Sequence, residues 1–419
     1  MDVHSRLSTM YQIHTGVHTS MLDLEELLRT TVEVKGSDLH LTVGASPMAR
    51  IYGEMTPLPF PELTRDSLRV LLYATLTGEQ QNRFEEKRDI DFSLEVPNLA
   101  RFRANFYVGR RGEGAVFRVI PATVLTASQL GLPQVVMNLA SLEKGLVLVT
   151  GPTGSGKSTT LAALIDLVNT ERAGHILTVE DPIEFVHPHK KCLVNQREVK
   201  VHTESFSSAL RAALREDPDV ILVGEMRDLE TIGLAVSAAE TGHLVFGTLH
   251  TSSAAQTVDR IIDVFPPHQQ SQIRTQLSES LQAVVAQALV PKIGGGRVAA
   301  WEIMTSTTAV KNLIRESKTF QLPSIIETNT SIGMQTLEQA LKALILAGKI
   351  TPESAMSKGL SAHALQGLDV PAQPTQHTQA PAAEPAPVSP PSVRPLSGIN
   401  AFTDDDDDLG PLKPISQAA

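Results

Sequence analysis

The residues Gly151, Pro152, Thr153, Gly154, Ser155, Gly156, Lys157 and Ser158 fit the pattern G-x-x-x-x-G-K-[ST] without a gap, and Thr159 follows. Residue types at this spacing suit phosphate binding. Glycines let backbone N–H groups converge on phosphate oxygens, and a helix that begins where the loop ends adds partial positive charge. Lys157 can reach the β- and γ-phosphates of a nucleotide such as ATP, and the Ser158 hydroxyl can ligate Mg²⁺. The flanks agree. Gly145 to Thr150 (GLVLVT) is an apolar run fit for a buried parallel strand, and Thr159 to Val168 has helical apolar spacing.

Carboxylates and histidines recur downstream in similar settings. Val220 to Val223 is an apolar run that ends in Gly224 and Glu225. An acid at the carboxyl end of such a strand sits where open α/β sheets bind ligands, placed to face a metal and an attacking water. Ile176 to Val179 leads in the same way into Glu180, Asp181 and Glu184. Leu244 to Leu249 is a strand framed by His243 and His250, either of which could sense a γ-phosphate by hydrogen bonding; a single histidine is more often structural or solvated. His187, His189, His202 and His268 raise the question of zinc, but no pair has H-E-x-x-H spacing. The single cysteine, Cys192, excludes an intrachain disulfide and a four-cysteine zinc module.

These groups need elements to hold them. The front of the chain reads as a small α/β domain, with a helix at Leu22–Thr31 and strands at Asp38–Val43, Ala49–Tyr52, Ile90–Leu94, Arg101–Val108 and Ala115–Val119. Pro121 closes the last strand, and a connecting segment runs through Pro133. From Ser361 onward the chain is Pro, Ala, Gln and Ser with few apolar side chains, too few to offset the ordering of its backbone. Its seven acidic side chains, including Asp404 to Asp408, face two basic ones, so it reads as a solvated tail or as a docking peptide for a basic surface.

Composition narrows the classes. The chain has 419 residues, 42% apolar and 20% charged, as expected for two folded domains with extra segments. A net charge of −10 argues against a protein whose main task is to grip nucleic acid. No apolar run reaches the ~18 residues of a membrane span, and Met1 to Ser20 lacks the apolar core of a signal peptide. A cytoplasmic protein with no direct membrane insertion is expected.

Taken together, GPTGSGKST (Gly151–Thr159), TVEDPIEFVH (Thr178–His187), VGEMRD (Val223–Asp228) and TGHLVFGTLHT (Thr241–Thr251) resemble the Walker A, Asp box, Walker B and His box of the secretion ATPases. SDLHL (Ser37–Leu41), RFRANF (Arg101–Phe106), GAVFR (Gly114–Arg118), AVKNLIRE (Ala309–Glu316) and GMQTLEQAL (Gly333–Leu341) extend the likeness, and AVKNLIRE points to the type IV pilus retraction branch. The resemblance implies an α/β protein: an N-terminal extension at 1–20, a small PAS-like domain at 21–121, a linker at 122–136, a RecA-like P-loop ATPase domain at 137–360 and a disordered tail at 361–419. It implies Mg²⁺-dependent hydrolysis of ATP by a homohexamer that powers pilus retraction and twitching. Partners would be an inner-membrane pilus platform protein and paralogous pilus ATPases, at the inner face of the cytoplasmic membrane.

By position, Glu184 resembles the glutamate that polarises water, Glu225 the acid that supports Mg²⁺, and His243 and His250 the His-box pair. Arg103 and Arg118 resemble first-domain arginines that reach nucleotide in a hexamer. Lys311 departs from the family pattern, which has arginine there. The first twenty and last sixty or so residues have no family counterpart, and either Met1 or Met21 could be the true start. Three other readings stand beside this one: an assembly or secretion ATPase of the same superfamily, which usually carries a tetracysteine module; a nucleic-acid motor; and a regulatory paralogue that binds without hydrolysis. In AVKNLIRE, Val310, Leu313 and Ile314 share one helix side while Lys311 and Arg315 share another, which would be free to meet an acidic partner.

Overall fold

Residues 22–51, 53–120 and 124–365 are described by the computed structural model. The expected extension at 1–20, the expected tail beyond residue 365, and Tyr52 and Pro121 lie outside them. Among the described residues two sheets form, one antiparallel and one mostly parallel.

Period-two patterning builds the first sheet. Its strands are β1 (Gly36–Thr42), β2 (Met48–Ile51), β3 (Glu54–Pro57), β4 (Asp89–Val96), β5 (Ala100–Gly109) and β6 (Gly112–Ile120), in the order β3-β2-β1-β6-β5-β4. On β5, Phe102, Ala104 and Phe106 are buried while Arg101, Arg103 and Asn105 point to the other face. Phe106 anchors the core, with edge-on contacts to Phe84, Phe92 and Phe117 at centroid distances of 6.2, 5.0 and 5.6 Å. Helix α1 (Leu24–Glu33) covers this core through Leu24, Leu27 and Leu28.

Two helices between β3 and β4 go beyond the elements read from sequence. These are α2 (Arg65–Tyr73) and α3 (Gly78–Lys87). Both start with reciprocal capping boxes, Thr64 with Ser67 and Thr77 with Gln80. Helix α3 buries a single side chain, Phe84, so its apolar spacing carries no periodic signal.

Short helical turns at Ala127–Leu130 and Gln134–Met137 occupy the expected linker, and Ala127, Leu132 and Val136 pack into the second core. The second sheet contains β7 (Gly145–Thr150), β8 (Gly174–Glu180), β9 (Cys192–Glu198), β10 (Val220–Val223), β11 (Leu244–Leu249), β12 (Leu281–Pro291) and β13 (Arg297–Thr305). Their order is β13-β12-β7-β11-β10-β8-β9, parallel except for the antiparallel β12–β13 pair. Every residue of β7, β10 and β11 is buried, as near-continuous apolar runs with both faces covered require. Helices α4 (Lys157–Glu171), α5 (Phe206–Ala213), α6 (Leu229–Glu240), α7 (Ala254–Asp263) and α8 (Pro267–Ser280) follow in the chain. Then come α9 (Thr308–Arg315), α10 (Leu322–Thr328), α11 (Leu337–Leu346) and α12 (Pro352–Met356).

On α9, Val310 and Ile314 are buried in the main core and Leu313 packs against it. Lys311 and Arg315 both reach Glu279 of α8, at 3.7 and 3.0 Å. A satellite cluster closes the C-terminal end, where Leu360 packs with Val290, Ala300, Leu341 and Ile345, and Ala364 and Leu365 pack against it. Leu360→Ala should lower stability by about 2–3 kcal/mol, because it opens a cavity that so small a cluster cannot refill. Urea unfolding beside wild type checks this, and an unchanged curve would place the cluster outside the cooperative unit.

Candidate active site

Two glycines of the phosphate loop have no substitute. A Cβ on Gly151, whose φ is +141°, would lie 2.3 Å from the Gln287 carbonyl oxygen. One on Gly156, at φ +88°, would lie 2.8 Å from Gln287 Nε2. The loop is therefore pressed against β12 and can take this shape only without side chains there. Gln287 itself is buried; its Nε2 donates to the Ser155 carbonyl at 2.7 Å, and its Oε1 accepts from Thr160 Oγ1 at 2.7 Å and Trp301 Nε1 at 3.2 Å. No motif marks Gln287 or Trp301 in the sequence, and both lie in strands far downstream of the loop they support.

Helix α4 starts at Lys157 with no side-chain cap, which leaves its first-turn N–H groups free for an anion. Lys157 Nζ folds back to donate to the carbonyls of Gly151 and Pro152, at 2.8 and 3.1 Å. Burial lowers its pKa, while the negative charges of Glu225 and Glu184 pull the other way. Among the described residues the buried Ser155 hydroxyl has no hydrogen-bond partner. A cradle shaped by absent side chains, a lysine held by weak neutral acceptors and an uncapped helix start all fit a nucleotide's phosphates.

The cleft in front of the loop gathers Thr153, Gly154, Lys157, Ser158, Glu184, Glu225 and His250. Glu225 follows β10, and its Oε1 lies 2.7 Å from His250 Nε2 and pairs with Arg227. Burial acts to raise its pKa, but hydrogen bonds from Arg227 and His250 outweigh burial and hold the carboxyl below the usual range. Glu184 lies in the segment after β8, and its N–H points to Glu180 Oε2 at 3.4 Å. Burial pushes the Glu180 carboxyl up, against hydrogen bonds from Thr178 and Gln196.

The expected histidine pair is not brought together. His243 precedes β11 and His250 follows it, so about 20 Å of strand separates them. The His243 ring donates to the Ala238 carbonyl at 2.9 Å, a structural contact at the far end of the sheet. Arg103 and Arg118 face each other in register across β5 and β6. Arg103 approaches Asp91 at 3.9 Å and lines an interdomain cleft with Asp181 and Arg227, while Arg118 pairs with Asp38 at 2.9 Å. Neither borders the phosphate loop of its own chain.

Strand order, a glycine loop moulded on its neighbouring strand and carboxylates at the ends of adjacent parallel strands together define a RecA-like P-loop ATPase. The family model described as type II/IV secretion system protein matches residues 24–303. The chain belongs to that family and is an ATPase of its secretion-motor class. It is 56% identical to the type IV pilus retraction ATPase PilT of Pseudomonas aeruginosa over 337 residues, which is 80% of this chain and 98% of that one. A twitching motility protein of Neisseria gonorrhoeae is 50% identical, over 81% of this chain and 91% of its own length. The crystal structure of the pilus retraction motor PilT with bound ADP superposes with a TM-score of 0.77 at 49% identity, covering 82% of this chain and 98% of the other.

Gln287→Leu would strand the Ser155 carbonyl, the Thr160 hydroxyl and the Trp301 N–H. A loss of about 2–4 kcal/mol in stability and about tenfold weaker ADP binding are expected, read by denaturant unfolding and by titration with ADP. Wild-type ADP affinity would mean that the loop keeps its shape without the amide. His187, buried beside the cleft, has its pKa lowered from 6.5 to about 4, mainly by burial. The folded state disfavours its protonation, so this contribution is whole above about pH 6.5 and drains as pH falls toward 4, by about 3 kcal/mol in all. Urea unfolding at pH 7 and pH 5 should show about 2 kcal/mol lost in wild type and markedly less in His187→Gln.

Proposed function

We propose that this ATPase is a ring motor that powers type IV pilus retraction. The observation that carries this is the match to PilT across 98% of that protein at 56% identity. Catalytic roles follow from the cleft. Lys157 exchanges its two loop carbonyls for β- and γ-phosphate oxygens, a stronger charged partner. Thr153, Gly154, Ser155 and Thr159 belong to the same binding loop. Ser158 and Glu225 would hold Mg²⁺, which when bound offsets phosphate charge. Glu184 orients and polarises the attacking water, and His250, fixed by Glu225, meets the γ-phosphate.

Arg103 and Arg118 are exposed on the first sheet, at 45% and 67% of the side chain, and are assigned here to a neighbouring subunit's nucleotide in a homohexamer. The basic pair on α9 supports contact with an acidic surface of the inner-membrane platform protein. Its ion pairs with Glu279 are exposed, and such pairs are worth little, so a partner can displace them. The likeness to PilT supports a cytoplasmic motor bound peripherally at the membrane's inner face; among the described residues no helix is long and apolar enough to cross a membrane.

The test combines chemistry with physiology. Glu184→Gln should bind ATP normally and lose about 10²-fold or more in kcat, and Lys157→Ala should weaken triphosphate binding. Cells carrying Glu184→Gln should keep surface pili and lose twitching. Lost pili instead would assign the motor to assembly, and wild-type kcat would remove Glu184 from its role.

A further inference from the structure

We infer that Glu198 is a positioning residue for hydrolysis, whose buried carboxylate ties the segment carrying Glu184 to the first sheet, so that Glu184 is in place only while the two sheets keep this arrangement. The inference rests on the reading of Glu184 as the water-orienting carboxylate. Glu198 ends β9 and its side chain is only 5% exposed. Its partners come from both sides of the interdomain seam. From the first sheet, Ser93 Oγ on β4 donates to Oε1 at 3.1 Å and Arg101 Nη2 on β5 to Oε2 at 3.0 Å. From the ATPase domain, the Ile183 N–H donates to the same Oε2 at 3.2 Å. Ile183 is buried and immediately precedes Glu184, which lines the cleft.

Charge makes the tie conditional. Among the described residues Arg101 is the one cation paired with Glu198, and its side chain is itself mostly buried, at 17% exposure. If the first sheet swings away, the carboxylate loses its countercharge and its Ser93 bond together. A buried carboxylate without a cation is strongly unfavourable and draws water. Water then competes with the Ile183 N–H for Oε2, which loosens the backbone on the N-terminal side of Glu184, while Gln196 still holds the C-terminal side through the Phe185 carbonyl and the His187 N–H. Both effects meet at one oxygen atom, so the position of one domain is read by the catalytic segment of the other. A ring whose subunits flex in turn could thus confine hydrolysis to the closed arrangement.

The experiment uses the full chain and steady-state ATPase kinetics, with ADP binding and native mass measured alongside. Arg101→Met should lower kcat about tenfold or more while KM for ATP and ADP affinity stay within about twofold. Adding Glu198→Gln to that chain should regain about threefold or more. The neutral amide no longer needs the guanidinium, and its carbonyl oxygen still accepts from Ile183. A kcat within twofold of wild type for Arg101→Met, a loss confined to KM, or no regain in the double variant would overturn the inference. Should Arg101→Met fail to assemble, Glu198→Ala, which removes the acceptor of the Ile183 N–H, decides alone, with reduced kcat at unchanged ADP affinity expected and wild-type kcat overturning it. Glu184→Gln runs beside them. If it keeps wild-type turnover, the reading beneath has failed. If it is inactive while Arg101 and Glu198 variants are normal, only this inference has.

Discussion

The side-chain amide of Gln287 is engaged at both ends, donating to the Ser155 carbonyl and accepting from Thr160 and Trp301. Through those bonds β12, β13, the phosphate loop and the first turn of α4 are fixed to one another. The loop lies so close to β12 that Gly151 would bring a Cβ into the Gln287 carbonyl. Close approach and buried polar pairing reinforce each other here, because an amide out of water must find partners and the loop backbone supplies one. The strands beneath add stiffness, since β7 sits between β12 and β11 with all six residues buried. The protein's own contacts thus hold the loop in shape, which lowers the ordering cost of binding a phosphate.

Charge in the cleft is balanced in a way that nucleotide can redistribute. Lys157 rests on two neutral carbonyls and Glu225 on Arg227 and His250, while Glu184 is bonded through its backbone N–H to Glu180. Of these, Lys157 gains most from a phosphate, since carbonyl dipoles are poor partners for a half-desolvated ammonium. Glu225 is the most firmly held acid, so His250 is presented in a fixed pose. The segment between β8 and β9 that carries Glu184 is held by side chains of β9: Gln196 donates to the Phe185 carbonyl and accepts from the His187 N–H, each at 2.8 Å, and Glu198 accepts from the Ile183 N–H at 3.2 Å.

How much of this the sequence disclosed follows from chain distance. The glycine loop, the carboxylates after β8 and β10 and the histidine after β11 each sit at the end of an apolar run, and the parallel sheet brings those ends together. Local pattern sufficed for them. Gln287, Trp301 and Glu198 act across separations that no local pattern records, and Arg101, although it opens the RFRANF stretch, meets a partner 97 residues away. His243 was misleading for the opposite reason. It frames the same strand as His250, but a strand has two ends, and only its carboxyl end faces the cleft. In the first domain, β5 and β6 were legible from alternation, whereas α3 rests on a capping box and one phenylalanine.

The two halves of the molecule are joined by different physics from that which holds each together. Inside each domain the contacts are apolar and dense, and such cores resist gradual deformation. Across the seam the described contacts at Glu198 are polar and few, so their strength depends on water being kept out. A buried ion pair is either closed or broken, because a charge left there without its partner is strongly unfavourable. The seam therefore favours two discrete arrangements over a continuum. The exposed pairs between α9 and Glu279 have the opposite character, because water already reaches them and exchange for another acid changes little in energy. The molecule thus carries two kinds of polar contact, a buried pair that is closed or broken and an exposed set that exchanges readily.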